Sequence, residues 1–70
     1  MRKFEWQGLF LEALEHTGEV RRSTELAGVS RGHAYATRES QPGFAEAWRN
    51  SLAKHREAQI SALRSRLRQT

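Results

Sequence analysis

Apolar residues recur at helical spacing near the start of the chain. They stand at Trp6, Leu9, Phe10, Ala13 and Leu14, the i, i+3, i+4, i+7, i+8 pattern of a helix with one buried face. The pattern predicts a first helix from about Lys3 to His16. Thr17 and Gly18 end it, because glycine readily adopts the left-handed conformation found at helix ends.

Two shorter helical segments follow, separated by a glycine turn. The segment Val20–Ala27 is too short for a stable isolated helix, so we expect tertiary packing to stabilise it. Its inward side is predicted to consist of the small residues Ser23, Thr24 and Ala27. Gly28 makes the turn. Ser30 is a favourable N-cap for a third helix from Arg31 to about Glu39, in which Ala34 faces inward.

A fourth helix is predicted after a break at residues 40–43, because Pro42 suits the first helical position. Its first half carries an apolar stripe that we expect to close the core over the first helix. The stripe consists of Phe44, Ala45, Trp48 and Leu52. We therefore expect four aromatic residues in the core rather than at a ligand site: Trp6, Phe10, Phe44 and Trp48.

The chain remains helix-forming beyond Leu52, with Ile60, Leu63 and Leu67 at spacings of three and four. This heptad-like stripe is expected to pack either on the domain itself or on a neighbouring subunit, where it would serve oligomerisation. The predicted fold class is all-α, with about four helices and a longer basic C-terminal helix. We divide the chain into a domain of residues 1–53 and a basic amphipathic extension of residues 54–70, which serves oligomerisation or links to a further domain.

Composition narrows the class of protein. The 70 residues allow one small domain, and the absence of cysteine excludes disulfides and thiolate zinc sites. No apolar run approaches the roughly 18 residues of a membrane span, and the start lacks the apolar stretch of a signal peptide. We therefore expect a soluble protein of a reducing cytoplasm, with no membrane partner.

The formal charge of +4 is unevenly distributed. Six basic residues balance six glutamates between Met1 and Gly43, whereas six basic residues exceed two glutamates between Phe44 and Thr70. Ten of the twelve basic residues are arginine, whose guanidinium forms paired hydrogen bonds with phosphate or guanine. Four of them crowd the second and third helices: Arg21, Arg22, Arg31 and Arg38.

Catalytic chemistry finds little support in the chain. It has no aspartate and no cysteine, and its three histidines are too scattered for a metal pair or a triad. The glycines do not form a phosphate-binding loop. We expect a protein that is not an enzyme and that binds neither cofactor nor metal.

The stretch from Val20 to Arg38 has the layout of a helix-turn-helix, whose second helix enters the major groove of DNA. Arg31 is the leading candidate for reading a base edge, and Gly32 lets the backbone approach the groove. The same exposed arc is predicted to include His33, Tyr35, Ala36 and Thr37. We expect the Tyr35 ring to pack on the first helix, with its hydroxyl near a phosphate. Phosphate contacts are expected from Arg21, Arg22, Ser23, Ser30 and Arg38.

Several segments together carry a family pattern: residues 10–14, 17–20, 27–31, 34–35 and 42–48. The run from Phe10 to Trp48 resembles the N-terminal helix-turn-helix domain of phage terminase small subunits. The most specific parts are Ala34 with Tyr35, followed by the Pro-Gly-Phe-Ala-Glu-Ala-Trp segment that begins at Pro42.

The resemblance implies a role in packaging viral or prophage-like double-stranded DNA. Such a subunit recognises DNA, assembles into a homo-oligomeric ring and presents the DNA to a large terminase subunit that carries ATPase and nuclease, in the cytoplasm of a bacterial host. The chain departs from the pattern at Thr37, where a large apolar residue is usual, at Thr24, where alanine is common, and at Glu19, where an asparagine-like cap is expected. The departures at Thr37 and Thr24 loosen the predicted packing of the third helix, and the alternative for Thr37 is to face DNA.

Two other functions fit the same sequence. A small transcriptional regulator or recombinase-type DNA-binding domain uses the same motif, and a dimer on paired half-sites would favour it over a ring. A protein-interaction adaptor is the second alternative, in which the helix with Ile60, Leu63 and Leu67 binds a partner and the motif no longer binds DNA.

Overall fold

The computed structural model describes residues 5–68, and these form four α-helices without a strand. The helices are α1 (Glu5–Thr17), α2 (Val20–Ala27), α3 (Arg31–Ser40) and α4 (Pro42–Arg68). The predicted all-α class and number of helices are confirmed. The predicted start of the first helix at Lys3 and the last two residues of the extension lie outside the described range.

Local chemistry explains the helix ends. Gly18 and Gly28 both have positive φ, of 68° and 75°. After α2, the Gly28 amide donates to the Glu25 carbonyl at 3.3 Å and the Val29 amide donates to the Thr24 carbonyl at 3.0 Å, the hydrogen-bond pattern of a glycine-terminated helix. These bonds satisfy carbonyls that a helix end leaves without partners. The chain therefore turns between α2 and α3 where the sequence predicts it.

Aromatic rings from α1 and α4 form the centre of the core. Phe10 is fully buried, and its ring centroid lies 4.7 Å from that of Trp48 and 5.8 Å from that of Phe44. Trp6 lies at the edge of the cluster, partly buried and 5.4 Å from Phe44. Leu14, Ala27 and Ala34 complete the buried cluster. The predicted closure of α4 over α1 is confirmed.

The inward side of α2 is small, as predicted: Ser23, Thr24 and Ala27 are buried. The Ser23 hydroxyl donates to the Glu19 carbonyl at 2.7 Å, and the Thr24 hydroxyl donates to the Arg21 carbonyl at 2.8 Å. These bonds offset the cost of burying hydroxyl groups. Small side chains at this position let the neighbouring helices approach α2 closely.

Leu9 is not part of the core, contrary to the sequence prediction. It is 44% exposed, whereas its neighbour Phe10 is fully buried. Successive residues of a helix are separated by about 100°, and the buried face of α1 is centred near Phe10 and Leu14. Leu9 therefore lies on the solvent side of the apolar stripe.

His55 attaches α4 to the end of α1. Its Nδ1 lies 3.0 Å from the carbonyl oxygen of Glu15. A carbonyl only accepts, so Nδ1 carries the proton in this contact. The imidazole ring also covers Gly18, where an added Cβ would lie 2.5 Å from ring atoms Cδ2 and Nε2. Glycine is thus required at residue 18 both for its backbone conformation and for space.

The second half of α4 extends away from the core. The helix continues without interruption across residue 53, where the sequence analysis divides the chain, and His55 is its last partly buried residue. Residues 56–68 are all exposed. Despite the length of α4, no helix within residues 5–68 combines the length and apolarity that crossing a membrane requires.

Alanine substitutions at the two turn glycines test the contact with His55. Both place a side chain at positive φ, which costs about 1 to 2 kcal/mol. Nothing lies within 4 Å of a Cβ built at Gly28, so Gly28→Ala is the matched control for Gly18→Ala. We expect Gly18→Ala to lose more unfolding free energy in urea denaturation, because it also displaces the His55 ring. Equal losses for the two variants would contradict the contact.

Candidate nucleic-acid interface

Two buried residues determine which side of α3 is exposed. Ala34 is fully buried and Thr37 nearly so, and both face the same side of the helix. Arg38 is half-buried and the other residues of α3 are exposed, with Gly32, Ala36 and Glu39 opposite the buried pair and Arg31 between the buried and the exposed side. We call Arg31, Gly32, Ala36 and Glu39 the outward face of α3.

The side chains of Gly32 and Ala36 project little or not at all from the outward face. Nothing lies within 4 Å of a Cβ built at Gly32, and Ala36 has no atoms beyond Cβ. The Ser30 hydroxyl accepts a hydrogen bond from the His33 amide at 3.1 Å, which fixes the start of α3 as the sequence predicts. Arg31, which directly precedes Gly32, has a long side chain. Such an arrangement lets a helix backbone approach a DNA groove closely.

Two exposed arginines lie in the first turn of α2. Arg21 Nε lies 3.5 Å from Glu25 Oε1, in an ion pair between residues one helical turn apart whose side chains are both largely exposed. Exposed pairs of this kind contribute little to stability and are screened by salt. A phosphate group would therefore replace Glu25 at small cost. Arg22 is also exposed, beside Arg21.

Three predicted contact residues also attach α3 to its neighbours. The Tyr35 ring centroid lies 5.3 Å from that of Trp48, so Tyr35 packs on α4. The prediction that this ring packs on the first helix is wrong. The Arg38 guanidinium carbon lies 4.8 Å from both of these ring centroids. His33 is exposed, yet its ring lies 5.1 Å from that of Trp6. These residues stabilise the position of α3 whether or not they touch DNA.

Ser23 and Thr37, both predicted to contact DNA, are buried. Ser23 is 0% exposed and its hydroxyl is bonded to Glu19, whereas the Thr37 hydroxyl donates to the His33 carbonyl at 2.8 Å. Thr37 follows Ala34 by three residues and shares its face. Neither side chain reaches the surface of the domain, so we exclude both from the interface.

Glu39 belongs to the outward face of α3, although it is not among the contact residues predicted from the sequence. Its exposed carboxylate stands one turn beyond Ala36 on the outward face. In complexes of proteins with DNA, a carboxylate repels phosphate but accepts a hydrogen bond from the amino group of cytosine. The spacing of residues 32, 36 and 39 would have identified it, because i, i+4 and i+7 fall on one side of a helix.

Comparisons with protein-family models, curated proteins and solved structures find no match to this chain. The candidate interface is therefore defined only by the exposure, charge and geometry of this chain's own residues. Among residues 5–68, no three His, Asp or Glu side chains are grouped so as to hold a metal ion. A ligand of this surface would meet exposed arginines at the start of α2 and α3, and the small residues Gly32 and Ala36 on the outward face of α3.

Arginine substitutions at two neighbouring positions test which way α3 faces. At the buried Thr37, arginine places an unpaired charge in the core, so we expect Thr37→Arg to lose more than about 2 kcal/mol of unfolding free energy. The control Ala36→Arg adds the same side chain on the outward face and should stay within about 0.5 kcal/mol of the parent chain. Chemical denaturation followed by circular dichroism measures both. A tolerated Thr37→Arg would show that Thr37 faces solvent.

Proposed function

We propose that this chain is a non-enzymatic DNA-binding module that places the outward face of α3 in the major groove of double-stranded DNA. The observation that carries the proposal is the exposed Arg31 next to Gly32, at the start of a helix that Ser30 caps and that carries Ala36 on its outward face. A guanidinium in that position bonds the two acceptor atoms of guanine, and the small residues leave room for the groove walls. Arg31 is the proposed base reader.

Phosphate contacts position the module in this proposal. The residues proposed for these contacts are Arg21 and Arg22 in the first turn of α2, Ser30 directly before α3 and Arg38 at the side of α3. The guanidinium of Arg38 lies against the rings of Tyr35 and Trp48, 4.8 Å from each centroid, and these contacts favour one position for it before any DNA binds. Contacts of this kind fix the register of a protein on the duplex without reading sequence.

We further propose that the module belongs to a terminase small subunit. Support for this finer assignment comes from the resemblance in residues 10–48, above all from Tyr35 and the segment that begins at Pro42. In the folded chain, the two aromatic residues of that segment belong to the core: Phe44 and Trp48. The proposed partners are viral or prophage-like DNA, further copies of the chain and a large terminase subunit, in the cytoplasm of a bacterial host.

Selection of bound duplexes from random DNA, followed by affinity measurements on the variants, tests the base-reading role. We expect Arg31→Ala to lose about 1 to 3 kcal/mol of binding free energy on the selected duplex and much less on a scrambled one. Arg22→Ala is the matched control, since loss of a phosphate contact weakens both duplexes alike. Unchanged binding of both variants to every duplex at low salt would favour the adaptor function instead.

The salt dependence of binding counts the phosphate contacts. If about six phosphates are neutralised, the slope of log affinity against log salt concentration is about −5. Arg22→Ala should make this slope less steep by about 1, because one contact is lost. Fluorescence anisotropy over a salt series measures it. A slope near zero would contradict nucleic-acid binding.

A further inference from the structure

The exposed second half of α4 carries an apolar stripe. We call residues 56–68 the tail; all of them are exposed, with Ile60 at 51% and Leu63 at 58%. Leu67 continues the same stripe toward the end of the helix. Apolar side chains that recur on one side of a solvent-exposed helix mark a surface for another helix.

The stripe does not continue the face that α4 presents to its own core. That core face contains Phe44, Trp48, Leu52 and His55. At about 100° per residue, Leu63 lies about 80° and Ile60 about 140° from the centre of this face, on the side of Leu52. Because α1 packs on the core face of α4, an extension of α1 along α4 would not cover Ile60 and Leu63. A helix that packs on this stripe would therefore come from outside this domain.

Charge makes pairing of two tails unfavourable. The tail carries four arginines and one glutamate: Arg56, Arg64, Arg66, Arg68 and Glu57. Two tails side by side would place like charges opposite each other, which destabilises a helix pair. The stripe instead requires a partner surface with an apolar centre and acidic flanks.

The chain itself offers such a surface on α1. Leu9 is 44% exposed, and the carboxylates of Glu5 and Glu12 lie one turn before and after it on the exposed side of the helix. We call Glu5, Leu9 and Glu12 the acidic face. The exposed Leu26 of α2 is a poorer match, because Arg22 stands one turn before it with the same charge as the tail.

We propose that the tail of one copy docks on the acidic face of a second copy. The lengths agree, since α1 has 13 residues and the tail spans as many, each about 20 Å long. The contact joins two different surfaces, so each end of an assembly keeps one unused surface and growth is head-to-tail. This inference deepens the homo-oligomer part of the proposed function. It involves none of the proposed DNA contacts.

Mixing two variants of the full chain tests the proposal. The face variant carries Leu9→Arg and Glu12→Arg, and the tail variant carries Ile60→Glu and Leu63→Glu. We expect each variant alone to be monomeric by sedimentation equilibrium, because each lacks one of the two surfaces. An equimolar mixture should contain a species with the mass of two chains, since one intact tail meets one intact acidic face. The parent chain should form larger species that dissociate as salt is raised.

Controls keep the outcome decisive. Glu46→Arg changes an exposed carboxylate of α4 outside both surfaces and should leave the assembly unchanged. If the face variant loses helicity, the pair Glu5→Lys and Glu12→Lys reverses the charges and keeps Leu9. Self-association of the face variant at the parent level would overturn the proposal in favour of tail pairing, and a monomeric mixture or parent chain would overturn it altogether.

DNA binding is measured separately, on the monomeric variants. Selective loss of affinity in Arg31→Ala without assembly would support the proposed function and overturn this inference. Assembly without DNA binding would do the reverse. A monomeric parent chain whose salt slope on DNA falls with Arg64→Ala and Arg66→Ala would instead assign the tail to nucleic acid.

Discussion

The contact of Trp48 with three aromatic side chains determines how the helices lie together. Its ring meets Phe10 of α1, Tyr35 of α3 and Phe44 of its own helix, with centroids 4.7 to 5.9 Å apart. Trp48 itself is 2% exposed. Aromatic pairs at such distances contribute about 0.5 to 1.5 kcal/mol beyond the area they bury. In a domain this small, losing the indole would remove the contact between α1, α3 and α4 together.

The proposed interface depends on that contact. α3 buries mainly small side chains, and much of its attachment comes from Tyr35 and Arg38 against Trp48 and from His33 against Trp6. The small residues Gly32 and Ala36 on the outward face of α3 leave room for a groove of DNA. Three of the predicted contact residues, His33, Tyr35 and Arg38, therefore also hold the helix in place, so substitutions there are expected to lower stability.

The sequence predicted features that depend on local chemistry. Gly28 and Pro42 marked helix boundaries because their backbone preferences act within a few residues. The side that a residue faces depends on neighbouring helices, so the apolar pattern of α1 predicts Leu9 in the core, where the structure exposes it, and the predicted exposed arc includes Thr37, which the structure buries. The contact of His55 with α1 joins residues 40 apart in the chain, and no local pattern carries that information.

Amide chemical-shift changes of the labelled chain on titration with its selected duplex test the central claim most directly, because they report every helix in one experiment. If α3 enters the major groove, we expect the largest changes at residues 30–36 and at the start of α2, with little change on the outer side of α1. Changes confined to residues 56–68, or a similar response to a scrambled duplex at every position, would contradict a sequence-reading role for α3.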